Sequence, residues 1–239
     1  MAEVDETSTV GEWVTGHPAS ARVFEDLQID YCCGGGNTLT QACTERGLEV
    51  EELVSQLADS IAKAPDAPLR YWSEASASEL CHHIEQTHHA YLRRELPRLT
   101  QLVAKVASAH SENHPELREL QSVFAALRTE LEPHMAKEEQ ILFPAIRLLE
   151  QSASSPRFPF GTVANPIGMM KHEHDNAGAA LKRIRELTNG FEAPIDACAS
   201  WQVMLTELRQ LEADMHQHVH KENNILFPKA QQLEASRWS

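Results

Sequence analysis

Residues 134–144 read HMAKEEQILFP, and residues 218–228 read HVHKENNILFP. Both stretches have the pattern H-x-x-x-E, followed by two polar residues and then I-L-F-P. The second copy begins 84 residues after the first (218 − 134). Because residues four apart lie on the same face of an α-helix, each copy presents an imidazole and a carboxylate at one point. The repeat therefore predicts two helices that each contribute one His and one Glu to a shared metal site.

Apolar residues at helical spacing predict four long helices that contain these two stretches. Capping and turn residues mark their starts and one of their ends: Ser76 with Glu79, His114-Pro115, Asn165-Pro166, Asn189-Gly190 and Pro194. Residues 152–165 are predicted to be the long loop between the two halves. The expected fold is all-α, with an antiparallel four-helix bundle over residues 70–239.

Residues 1–66 are predicted to form a small helical N-terminal domain, joined to the bundle by a linker that contains Pro65 and Pro68. Its first helix is expected to end at Cys32-Cys33, because the three glycines that follow cannot hold a helix. Two adjacent cysteines beside a glycine turn predict an exposed thiol pair that binds a soft metal or passes electrons. The alternative is a plain turn with incidental thiols.

Composition excludes several classes of function. The net charge of −14, from 21 basic and 35 acidic residues, disfavours partners such as nucleic acid or anionic lipid. No run of 18 apolar residues is present, and the N-terminal residues are acidic, so we expect neither a membrane span nor a secretory signal. A cytoplasmic protein is therefore expected. The five cysteines are irregularly spaced and contain no C-x-x-C, which argues against a disulfide framework.

Histidines on the first and third helices complete the expected metal site. His174 lies 44 residues before His218 (218 − 174), and His89 lies 45 residues before His134 (134 − 89), which favours these two as a matched pair. His88 remains an alternative to His89. The predicted ligand set is four imidazoles and two carboxylates: His89, His134, Glu138, His174, His218 and Glu222.

This ligand set fits two metal ions, because a carboxylate has two oxygens and can bridge. Nitrogen and oxygen donors with open positions suit iron, with manganese or zinc as alternatives. Two octahedral ions need about twelve donor positions, of which the six side chains and a shared oxo or hydroxo group fill about ten. About two positions remain for a small exogenous molecule.

Further carboxylates lie close to these residues along the chain. Three of them precede an expected ligand His by four residues, a spacing that lets a carboxylate orient the ring: Glu85, Glu130 and Asp214. Glu173, directly before His174, is a candidate to gate access or to hold a departing ion. A solvated helix face is an equal alternative for all four.

The sequence resembles the iron–sulfur cluster repair di-iron proteins, also called the repair of iron centres or ScdA-like family. The resembling segments are 30–35 (DYCCGG), 134–144, 173–175 and 218–228, with the region around His89 and Glu95-Leu96-Pro97. The resemblance covers nearly the whole chain. It implies a non-haem di-iron centre at the six ligands above, in a cytoplasmic and often dimeric protein. It also implies that damaged iron–sulfur proteins are the partners, after nitric oxide or oxidative damage.

Three functions are compatible with such a centre. The first is repair of clusters by supplying iron, with Cys32, Cys33, Glu130 and Glu173 as candidate functional residues. The second is an enzyme that reduces nitric oxide to nitrous oxide at two ferrous ions. The third is a hemerythrin-like sensor or carrier of oxygen or nitric oxide, which has no use for a thiol pair. A helical bundle with a structural metal is the simplest alternative, although it does not explain open coordination positions.

Overall fold

The computed structural model describes residues 8–62, 71–153 and 156–237, and every regular element within these ranges is helical. The α-helices are α1 Val10–Gly16, α2 Ala21–Asp26, α3 Leu39–Arg46, α4 Val50–Ala62, α5 Ala77–Ile84, α6 Ala90–His110, α7 Glu116–Lys137, α8 Phe143–Gln151, α9 Ala164–Leu187, α10 Ala199–His220 and α11 Phe227–Arg237. A short 3-10 turn covers Pro18–Ser20. Three π-helical turns, Glu85–His89, Glu138–Leu142 and Lys221–Leu226, join α5 to α6, α7 to α8 and α10 to α11.

Four long helical stretches, residues 77–110, 116–151, 164–187 and 199–237, form an antiparallel bundle, so the predicted all-α fold is confirmed. The predicted capping box starts the first of them, because Ser76 Oγ accepts from the Glu79 amide at 3.1 Å and the Glu79 carboxylate accepts from the Ser76 amide at 3.0 Å. The fourth stretch begins only at Ala199, later than Pro194 suggested. None of the described helices combines the length and apolar character needed to cross a membrane.

The bundle buries two separate apolar clusters. One contains residues from 77–84, 142–149, 163–170 and 225–230. The other contains residues from 92–107, 117–135, 177–191 and 201–219, together with Cys32. Each long helix passes from one cluster to the other, in a direction that alternates along the chain. The six expected ligands occupy the layer between the two clusters, which keeps them away from water.

The N-terminal helices α1–α4 surround a third buried cluster, which includes Trp13, Phe24, Tyr31, Leu39 and Leu57. Helix α2 ends at Asp26 and does not continue to the cysteines as predicted, because Gln28 adopts the left-handed conformation with φ 55°. The linker with Pro65 and Pro68 lies outside the described residues, so the boundary between residues 66 and 70 stays a prediction.

The N-terminal unit is docked on the fourth bundle helix through Asn224. Its side-chain amide donates to the carbonyl oxygens of Tyr31 and Cys32, at 3.2 and 3.1 Å. A Cβ atom added to Gly11 or Gly35 would lie 2.8 or 2.6 Å from Asn224 Oδ1, so only glycine allows this approach at either position.

His220 is part of the same interface, with its ring 5.5 Å from that of Tyr31. Only 2% of His220 is exposed. The cause is the docked N-terminal unit, which covers this face of the fourth helix.

Candidate metal centre

The structure brings the six expected ligands together in two groups of four. In each group, one candidate atom from every residue lies within 4.8 Å of the others: His89, Glu138, His218 and Glu222 in the first, and His134, Glu138, His174 and Glu222 in the second. All six residues are buried. Because both groups contain both glutamates, the arrangement offers two adjacent candidate metal positions that share two carboxylates.

Each carboxylate contacts one histidine from each position. Glu138 Oε2 lies 3.2 Å from His89 Nε2 and 3.4 Å from His134 Nε2. Glu222 uses one oxygen for each contact, both at 3.1 Å, from Oε1 to His218 Nε2 and from Oε2 to His174 Nε2. Each carboxylate therefore lies between the two groups of histidines.

Three of the ligands lie in the π-helical turns: His89, Glu138 and Glu222. A π turn contains an extra residue, which changes the face on which the following side chains lie, and such turns are frequent at functional sites. In the first of them, His89 belongs to the candidate metal centre and His88 does not. His88 Nδ1 instead donates to Asp214 at 2.9 Å, while Lys221 Nζ lies 2.8 Å from His88 Nε2.

Three of the four histidines are held through Nδ1, which leaves Nε2 directed at the centre. The acceptors are Glu139 for His89 at 2.7 Å, Glu173 for His134 at 2.8 Å and Asn223 for His174 at 2.9 Å. Glu139 also accepts from Arg93, and Glu173 from Lys137. Such partners fix the orientation of a metal-binding ring and make its nitrogen a stronger donor.

Two of the predicted outer partners are wrong. Glu85 accepts from Arg147 at 2.8 Å and Asp214 binds His88, so neither orients a ligand histidine. Glu130 is exposed, and its functional role stays a prediction. The spacing rule missed Glu139 and Asn223, although each directly follows a predicted ligand glutamate and the two are 84 residues apart (223 − 139).

Unpaired buried atoms show that the residues fit a metal centre. Within the described residues, His89 Nε2, both Glu138 oxygens and Glu222 Oε2 are buried without a hydrogen bond of acceptable geometry. Each such atom costs about 1–3 kcal/mol if nothing compensates. Imidazole nitrogens and carboxylate oxygens are donors that suit iron, manganese and zinc. A pair of these cations at the two positions would satisfy the unpaired atoms.

Without metal, protons partly balance the buried carboxylates. Burial lowers the pKa of His89, but the negative Glu138 carboxylate, 3.2 Å from Nε2, outweighs it and raises this pKa to about 9. The pKa of His174 also rises to about 9, because Glu222 outweighs burial in the same way. Burial acts to raise the pKa of Glu222, but the neighbouring histidines hold it well below its usual range. Metal ions must therefore displace protons from the two histidines.

The predicted thiol pair lies in a second cluster with Asp30. The expectation that both thiols are exposed is wrong for Cys32, which is only 6% exposed and belongs to a buried cluster of the bundle. The cause is the docked N-terminal unit, whose Tyr31 and Cys32 carbonyls are held by Asn224. Cys33 is partly buried. A hydrogen bond with Cys33, together with burial, raises the pKa of the Cys32 thiol well above its usual value.

Comparison with known proteins agrees with this geometry. Residues 82–230 match the family described as "Hemerythrin HHE cation binding domain", and residues 6–60 match ScdA_N, described as "Domain of Unknown function (DUF542)". The "Iron-sulfur cluster repair protein YtfE" of Pectobacterium atrosepticum is 35% identical over 222 residues, which are 93% of this chain and 96% of that protein.

Two further relatives carry the same description. The protein of Edwardsiella ictaluri is 37% identical, over 92% of this chain and 95% of its own length. The protein of Escherichia coli O157:H7 is 35% identical, also over 92% of this chain and 95% of its own length. With this identity along nearly the full length of both chains, the protein belongs to the family of hemerythrin-like iron–sulfur cluster repair proteins.

Proposed function

We propose that this protein repairs iron–sulfur clusters damaged by nitric oxide or oxidative stress, by supplying iron from a non-haem di-iron centre. The observation that carries the proposal is the pair of buried positions that share Glu138 and Glu222. The relatives described as iron–sulfur cluster repair proteins support the same function.

Two iron ions are the proposed occupants, and the four histidines with Glu138 and Glu222 would hold them. When bound, they supply exchangeable iron and the capacity to give or accept single electrons. The four histidines and two glutamates hold them without any thiolate, and the two apolar clusters exclude water from the layer. The ligands are thus nitrogen and oxygen donors, which release ferrous iron more readily than thiolates do.

The carboxylate of Glu173 lies between the buried layer of ligands and the surface of the bundle. The side chain of Glu173 is 25% exposed, and it contacts both the buried ring of His134 and the side chain of Lys137. Glu130 is exposed one helical turn before His134. We infer that Glu173 holds a departing iron ion, because a partly exposed carboxylate can bind a hard cation and pass it on.

The partners in this proposal are damaged iron–sulfur proteins, with nitric oxide or oxygen as the small molecules involved and the cytoplasm as the compartment. The homodimer implied by the family resemblance stays a prediction. Size-exclusion chromatography with light scattering measures it directly.

Iron analysis combined with an iron-transfer assay tests the proposal. We expect two irons per chain and reactivation of a damaged iron–sulfur enzyme by the iron-loaded protein. Glu138→Ala removes a shared ligand, so iron content and reactivation both fall. Glu132→Ala, at an exposed position on the same helix, is the matched control and retains both. A single tightly held zinc ion, or reactivation that is equal in Glu138→Ala and the parent, contradicts the proposal.

Nitric oxide reduction is the second candidate, since the two metal positions are adjacent and each has only four protein donors. Two molecules of nitric oxide, two electrons and two protons yield one nitrous oxide and one water, and two ferrous ions supply the electrons. Anaerobic mixing of the diferrous protein with nitric oxide distinguishes the functions. Stoichiometric nitrous oxide supports the enzyme, whereas bound nitric oxide without product supports a sensor. Reactivation of the damaged iron–sulfur enzyme, with neither nitrous oxide nor bound nitric oxide detected, supports iron supply alone.

A further inference from the structure

Asp30, Cys32 and Cys33 place a carboxylate oxygen and two sulfur atoms within 4.8 Å of one another. Asp30 Oδ1 accepts from the backbone amides of both cysteines, at 2.9 and 3.0 Å. It also accepts from the Cys32 thiol at 3.1 Å. The two amide hydrogen bonds hold the carboxylate against the thiol pair, so the three donor atoms are in place before a cation arrives.

These three residues line a cavity of about 370 Å³ between the N-terminal unit and the bundle. Asp30 is exposed and Cys33 is partly buried, so small ions can reach the donors from solvent. Basic and acidic side chains both line this cavity, with Arg46, Lys182 and Arg185 beside Glu25, Asp175 and Glu212.

The thiol pair lies close to the binuclear centre along helix α9. A Cβ added to Gly178 would be 3.9 Å from Cys33 Sγ, so this sulfur lies against α9 at Gly178. Gly178 is four residues after the ligand His174, which corresponds to about 6 Å along the helix axis and to the same face of the helix. The cluster is therefore one helical turn from the binuclear centre.

We propose that Asp30, Cys32 and Cys33 form a second, mononuclear metal site, which holds one ferrous ion in transit between the binuclear centre and a thiolate of the acceptor protein. Three protein donors and one open position are typical of sites that exchange a ligand. Thiolates select thiophilic cations, and the acceptor's own iron ligands are sulfur atoms. The identity of the cargo as iron rests on the proposed function, whereas the existence of the site does not.

Binding at this site is a ligand exchange without oxidation. Two thiol protons leave to solvent, two metal–sulfur bonds and one bond to the Asp30 carboxylate form, and the cation stays divalent. The hydrogen bond from the Cys32 thiol to Asp30 is lost, and the cation binds the carboxylate in place of the thiol proton. A thiolate that enters through the cavity then occupies the open position, and the two protein thiolates regain protons when the ion departs.

Anaerobic titration of the metal-free, reduced protein with cobalt(II) tests the site. Absorption from sulfur-to-cobalt charge transfer arises only from thiolates, so the His and Glu centre does not contribute to it. We expect three cobalt ions per chain, one of them with this absorption. A Cys32→Ser, Cys33→Ser double variant retains two ions and loses the absorption. Cys198→Ser, at an exposed cysteine remote from this cluster, leaves both unchanged.

Asp30→Asn is the conservative variant. Its side-chain oxygen still accepts from the two amides, but a neutral amide is a poor metal ligand, so we expect roughly tenfold or greater weakening of the thiolate-linked binding. Absence of the absorption in the parent, or its persistence in the double variant, overturns the inference. Absence of the two other cobalt ions in the parent protein would instead count against the binuclear centre, so the two proposals fail separately.

Discussion

The close approach of Gly35 to Asn224 makes the docking of the N-terminal unit sensitive to one methyl group. In Gly35→Ala, the new Cβ would lie 2.6 Å from Asn224 Oδ1 and 2.8 Å from the backbone oxygen of Tyr31. Rotation of Asn224 relieves only the first contact, so the loop itself must move. Overpacking of this kind costs about 1–3 kcal/mol. The equilibrium for local opening therefore increases by roughly 5- to 150-fold.

Thiol labelling at Cys32 measures this opening, since the residue is buried only while the unit is docked. Labelling under native conditions, followed at single cysteines by peptide mass spectrometry, should accelerate at Cys32 by the factor above. Cys81, which is fully buried in the bundle, serves as an internal reference because only global unfolding would expose it.

Gly36→Ala is the matched control, because an added Cβ there meets no atom within 4 Å. Its Cys32 should be labelled at the rate of the parent protein. Equal Cys32 rates in Gly35→Ala and Gly36→Ala would refute the steric argument. Equal acceleration at Cys32 and Cys81 would show that the bundle, and not the docking, is affected.

Two further predictions concern the metal centre. Glu173→Gln should weaken metal affinity roughly 10- to 100-fold in chelator competition, since it loosens the ring of His134, while Glu130→Gln should leave affinity unchanged. In the metal-free protein, the folded-state pKa values of His89 and His174 are raised to about 9, above the usual value of 6.5. Their stabilising contribution is complete below about pH 6.5 and is lost as the pH rises through 9. Calorimetry should therefore show a falling Tm over this range, and a constant or rising Tm would contradict it.

The bundle and the clustering of the six expected ligands could be predicted because both depend on local spacing. The H-x-x-x-E pairs lie within single helices, and the two copies identify each other through the 84-residue offset (222 − 138). His89 was harder to distinguish from His88, since the π turn at Glu85–His89 departs from the regular helical period on which the spacing argument relies.

The docking of the N-terminal unit could not be predicted in the same way. It depends on contacts between residues far apart in the chain, such as Gly35 and Asn224, which are separated by 189 residues (224 − 35). A glycine run predicts a turn, but it does not identify the side chain that comes close to the glycines. The burial of Cys32 follows from this contact, which explains why the expectation of two exposed thiols was wrong.

The internal repeat also shows that the two metal positions are not equivalent. Lys137 and Lys221 are 84 residues apart (221 − 137), and each contacts the residue that directly precedes a ligand histidine. In one half that residue is Glu173, which accepts from His134, whereas in the other half it is His88.

His88 stacks on the ring of His218, with centroids 5.2 Å apart, and does not accept a hydrogen bond from it. Within the described residues, His218 Nδ1 is consequently buried without a partner. The position formed by His89 and His218 therefore has one histidine held by an outer carboxylate, while both histidines of the other position are held. Since outer hydrogen bonds strengthen a metal ligand, an ion between His89 and His218 should be the more weakly bound of the two.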